Sequence, residues 1–186
     1  MKEAEFLTKY ISDWRNLNED DFNYRAARNS INASVGRNRT YRKGVSPIAK
    51  GIMRDFWIQY LSDVNFSEIQ TWNDWEQGIN ALRSIMNKEF PSIWLNNFRI
   101  SHSQKSLSVF WKYQYCRSLA LNQECLSPVS MPLDRIVQNN SGLPVNQILS
   151  WGAVDSMEVY TTQINLIAKR LNLPVSALYK WEIENF

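Results

Sequence analysis

The sequence predicts an all-α fold. Apolar residues recur near every 3.6 positions rather than alternating. Only six Gly and six Pro interrupt 186 residues, and the stretches between them are helix-length. Apolar residues make up 44% of the chain and aromatic rings 13%, enough to pack one domain, or two small helical lobes sharing an interface, around large rings. That composition excludes global disorder, and no internal repeat or low-complexity tract is visible.

Helices are expected at about 3–15, 19–34, 47–61, 73–88, 102–120, 131–139, 154–171 and 175–185, with ends uncertain by roughly two to four residues. Several carry start signals. Ser46-Pro47 puts a proline in a first helical turn, and Asn73 ahead of Asp74-Trp75-Glu76 offers a capping side chain with first-turn carboxylates. Pro174 followed by Ser176 opens the last helix in the same manner. Residues 36–46, framed by Gly36 and Gly44, are polar and basic and read as an exposed loop, the best linker candidate.

Charge is unevenly spread. The formal net charge is +3, but Arg25, Arg28, Arg37, Arg39, Arg42, Lys43 and Lys50 fall in one run without any Asp or Glu. That run carries +7, leaving −4 on the remainder, and it suits a polyanion better than a merely solvated face. Cys116 and Cys125 with a single histidine do not complete a zinc site, so no metal or other cofactor is expected. Both cysteines read as inert core thiols in a reducing compartment. No apolar stretch approaches the roughly 20 residues of a membrane span, and the first residues lack the apolar core of a signal peptide, so a cytoplasmic protein is expected. It is expected to act as a monomer.

The chemistry concentrates between residues 100 and 136. A serine run, Ser101-His102-Ser103-Gln104-Lys105-Ser106, heads an apolar, aromatic-rich helix and puts Lys105 in its first turn. Positive charge opposes the helix dipole there. A lysine near a helix start is most often a solvated charge, but its amine becomes a nucleophile when neutral, and a helix amino terminus and apolar surroundings both favour that form. Met131-Pro132-Leu133-Asp134-Arg135 follows, with Asp134 at another helix start, 29 residues on. That spacing accommodates a long helix, a turn and a return, so the two groups can face each other across a cleft. An aspartate after Pro-Leu is also a natural helix cap.

Gln104-Lys105-Ser106-Leu107 leading into an aromatic helix, then Met131-Pro132-Leu133-Asp134-Arg135, resembles the catalytic segment of the archaeal 8-oxoguanine DNA glycosylases, a branch of the helix-hairpin-helix glycosylase superfamily. The resemblance covers about residues 92–140, with an echo in Leu173-Pro174 and Trp181. It implies a compact fold of two small helical lobes flanking a cleft, with Lys105 displacing the base and Asp134 assisting. The superfamily's glycine-rich hairpin would lie just before Lys105, yet Trp94-Leu95-Asn96-Asn97-Phe98-Arg99-Ile100 holds no glycine, so any hairpin here is a variant one.

The implied partner is double-stranded DNA carrying a damaged or modified base, flipped from the stack and held against flat walls. Trp181 is the first candidate wall and Trp72 or Trp75 the second, although a late-helix tryptophan is usually core. His102 and Gln104 are candidate base contacts by their place beside Lys105. Arg37, Arg39, Arg42, Lys43 and Arg99 are candidates for the phosphate backbone. Two alternatives stay open: the same chemistry on a hypermodified base of phage DNA, such as a substituted cytosine, as antiviral defence, and a non-catalytic helical DNA-binding module.

Overall fold

The computed structural model describes residues 2–35, 40–150 and 153–185. The fold is all-α. Among the described residues are α1 (Lys2–Tyr10), α2 (Glu19–Val35), α3 (Pro47–Asp63), α4 (Trp72–Glu89), α5 (Ile100–Ala120), α6 (Arg135–Asn140), α7 (Met157–Leu171) and α8 (Leu178–Asn185). The sole strand-like pairing among them is an isolated bridge between Tyr41 and Trp94. No helix among these residues is long and apolar enough to cross a membrane.

The organising element is α5. Its residues are buried on every face, from Ile100 to Cys116, and α1, α2, α4 and α7 all pack on it. A helix buried all round needs small residues wherever neighbours come close. Ser101, Ser103, Ser106 and Ser108 supply them: all four are buried, and Ser106 Oγ satisfies itself by donating to the Ser103 carbonyl. The serine run is therefore a packing device as well as a helix start.

Helix starts follow local chemistry. Ser46 accepts from the Ala49 amide with Pro47 in the first turn, as expected. At α4 the cap is Thr71 rather than Asn73: Thr71 Oγ1 accepts from the Asp74 amide while the Asp74 carboxylate accepts from the Thr71 amide, a reciprocal pair that starts the helix earlier. The α5 helix also begins early, at Ile100 instead of 102, which moves Lys105 into the second turn. The helix dipole acts more weakly on Lys105 there, since that field falls off within the first turn.

The connection from α4 to α5 is tightly tied. Asn87 Nδ2 donates to the Phe98 carbonyl (2.9 Å) and its Oδ1 accepts from the Phe98 amide (2.7 Å). Asn97 takes the left-handed conformation with φ 62°. Asparagine is among the few residues besides glycine that tolerate this geometry, which is how a turn without glycine closes.

The expected exposed loop at 36–46 needs revision where it is described. Residues 36–39 lie outside the described residues, but Thr40 is buried and Tyr41 stacks on Trp94. The Arg42 amide donates to the Ile93 carbonyl, and the Leu95 amide to that of Thr40. This stretch docks onto the α4–α5 connection because Trp94 offers both a ring and a carbonyl.

Candidate active site

Gln104 and Lys105 meet Leu133 and Asp134 in register. Gln104 is fully buried, and its carboxamide grips Leu133 from both sides, donating to the carbonyl (2.9 Å) and accepting from the amide (3.0 Å). One residue further on, Lys105 Nζ lies 2.9 Å from Asp134 Oδ2, with the two side chains 15% and 18% exposed. The other carboxylate oxygen of Asp134 caps α6 by accepting from the Val137 amide (2.8 Å). Asp134 is thus both a cap and a partner of Lys105, and Gln104 holds the extended segment that carries it.

The pair sits in a cavity of about 370 Å³, within the range of small-ligand sites. Phe6, Tyr10 and Tyr113 line it with rings, while Val109, Lys112 and Tyr113 continue the α5 face that begins at Lys105. Lys112 is buried and forms an ion pair with Glu182 of α8 (Nζ to Oε1, 2.5 Å), with its ammonium 4.5 Å from the centre of the Phe6 ring. Burial pushes the Glu182 carboxyl up, Lys112 and Lys105 pull it down, and Asp134 pushes it up again. Two lysines and two carboxylates therefore feel one another, and their formal charges cancel. A second cavity of about 390 Å³ shares Ala33, Lys105, Asp134 and Ile136 with the first, so these residues form the partition between two hollows.

Several predicted site residues lie elsewhere. Trp181 is half-buried against the core and does not line the cavity, although its neighbour Glu182 does. Trp72 lines a different cavity with Gln70 and Thr161, stacks on Tyr160 and donates to Glu76. Trp75 is fully buried, with its indole N–H on the Tyr160 hydroxyl. Gln104 lies beneath the surface with its amide committed to Leu133. The rings at the cavity come instead from α1 and from Tyr113.

His102 is also internal. Its Nδ1 accepts from the Arg99 amide (3.1 Å), its ring stacks on Phe98, and desolvation with the charge of Arg99 lowers its pKa to about 4. The folded protein therefore keeps the imidazole neutral while the unfolded chain protonates near pH 6.5. Stability from this group is complete above that pH and is lost as pH falls toward 4, by about 3 kcal/mol. His102→Gln retains an acceptor suited to this third helical position. It should flatten the pH dependence of the urea midpoint between 6.5 and 4; an unchanged dependence would place its cause elsewhere.

Of the basic candidates, Arg37 and Arg39 lie outside the described residues. Lys43 is exposed, Arg99 precedes the first turn of α5, and Arg42 Nε donates to the Trp94 carbonyl (2.7 Å). Arg25 finds an acidic partner outside its run, Asp13 at 2.6 Å. Cys116 is buried, and desolvation pushes its thiol up to about 12, whereas Cys125 is exposed rather than core. Among the described residues no group of three or more His, Cys, Asp or Glu is placed to hold a metal ion.

Fold and site together define an all-helical chain with a lysine–carboxylate pair beside a ring-lined cavity. No family model, curated protein or solved structure matches the chain.

Proposed function

We propose that the chain is a DNA glycosylase that excises a damaged or modified base flipped from double-stranded DNA, with Lys105 as nucleophile and Asp134 as its carboxylate partner. The observation that carries the reading is the 2.9 Å contact between Lys105 and Asp134 at a cavity lined by aromatic rings. The resemblance of residues 92–140 to a glycosylase catalytic segment supports it, as does the hairpin-like α4–α5 turn closed by Asn97.

In the reaction, the Lys105 amine sheds a proton and forms a bond to the anomeric carbon. The bond from that carbon to the base breaks, and the base leaves with the electron pair and collects a proton. Asp134 is within hydrogen-bond distance to accept the lysine's proton, and its negative charge favours the cationic sugar that develops. Loss of a further proton and opening of the sugar ring give an imine, from which strand-cleaving elimination can follow. Gln104 acts as a positioning residue through Leu133. Phe6, Tyr10 and Tyr113 offer faces for a base, where stacking is worth roughly 1–3 kcal/mol. Lys43, Arg42 and Arg99, with Arg37 and Arg39, would track phosphates, and binding should weaken steeply with salt.

A panel of duplexes carrying oxidised, alkylated, deaminated and hypermodified bases tests the reading. Wild type should release base from at least one, and Asp134→Asn should lose about 100-fold or more of that rate while still binding the duplex. Persistent DNA binding with no base released from any duplex would favour a non-catalytic binding module.

A further inference from the structure

Glu182 has one oxygen too many for the role of a counterion. Oε1 is held by Lys112 at 2.5 Å, whereas Oε2 is buried and finds no hydrogen-bond donor among the described residues. The residue is 5% exposed and lines the same cavity as Lys105 and Asp134. Burying a carboxylate oxygen without a donor is costly, so such an atom marks a place where a donor is missing. The lysines already balance the carboxylates, and no cluster suited to a metal ion is present among the described residues. A ligand that supplies N–H groups fits better than one that supplies charge.

We propose that Glu182 reads the extruded base by accepting a hydrogen bond from its exocyclic amino group, so that the substrate is an amino-bearing base rather than one with a carbonyl at that position. This rests on the glycosylase reading above. An extruded base has lost its pairing partner, and its amino group gains an acceptor in exchange. An ionised carboxylate only accepts, so a base carrying a carbonyl at that edge would set two acceptors together and leave both unsatisfied. Carboxylates read the amino group of cytosine in DNA grooves by the same chemistry. Lys112 holds Oε1, which leaves Oε2 as the reading atom, and the rings of Phe6, Tyr10 and Tyr113 suit a planar ligand.

The test uses the full chain with Asp134→Asn, which removes chemistry, and duplexes matched except for the amino group: 8-oxoguanine against 8-oxohypoxanthine, and 5-hydroxymethylcytosine against 5-hydroxymethyluracil. In at least one pair the amino member should bind roughly tenfold tighter or more. Adding Glu182→Gln should abolish or reverse that preference, because the amide oxygen can keep the Lys112 bond while an NH2 group replaces Oε2. Glu182→Asp, which still only accepts, should keep its direction. A purely structural Glu182 would weaken both members equally and leave their ratio unchanged. Equal affinity within both pairs, or a preference that survives Glu182→Gln, overturns the proposal. Base release by wild type without amino preference would overturn this inference alone, whereas no release from any duplex would overturn it together with the glycosylase reading.

Discussion

Lys105→Gln should reduce base release by about 1000-fold or more while the protein still folds and binds its duplex. Removing a nucleophile eliminates the covalent route, and losses of that order are usual for groups that act as a unit with a partner. Glutamine keeps an N–H donor, one bond shorter than lysine's, and the α6 cap, made by the other oxygen of Asp134, does not involve position 105. Single-turnover assays on the duplex that wild type processes would measure the loss. Because Lys105 and Asp134 act on the same bond, Lys105→Gln with Asp134→Asn should be little worse than the lysine variant alone. Multiplying losses would mean that the two groups act independently.

The second large effect is on stability. Glu182→Ala should cost about 3–5 kcal/mol in urea unfolding, because it removes the carboxylate that neutralises the buried Lys112 ammonium, which the nearby Phe6 ring does not replace. Replacing both members, as in Lys112→Met with Glu182→Leu, should recover most of that loss, since apolar side chains of similar volume avoid the desolvation that an ion pair must overcome. Stability recovered without recovered base release would separate the pair's place in the site from its place in the core. A Glu182→Ala variant within about 1 kcal/mol of wild type would contradict the reading of Lys112 as a buried charge dependent on Glu182.

The helices were legible because their signals are local. Periodicity and the Ser46-Pro47 start predicted α3 closely, while the start of α4 was misassigned because the reciprocal Thr71–Asp74 pair outcompetes Asn73. The Lys105–Asp134 pair was legible from motif and spacing. Gln104 was noticed as the neighbour of Lys105, but its work, gripping Leu133, depends on a chain segment 29 residues away. The sequence did hold an unused signal for Lys112: Lys105, Val109 and Lys112 follow the i, i+4, i+7 pattern of one helical face, so a lysine two turns along was bound to share the cavity side. Glu182 carried no such signal, because its meeting with Lys112 spans 70 residues and is set by how α8 packs. Phe6 and Tyr10 were hidden for the same reason, and of the tryptophans expected to stack on a base, Trp75 is fully buried while Trp72 and Trp181 pack half-buried against the core away from the Lys105 cavity.

Borohydride trapping followed by peptide mapping tests the central claim most directly. Wild type incubated with a processed duplex and borohydride should yield a reduced protein–DNA adduct located on Lys105, and Lys105→Gln should yield none. An adduct on another lysine, or base release with no adduct at all, would contradict Lys105 as the nucleophile.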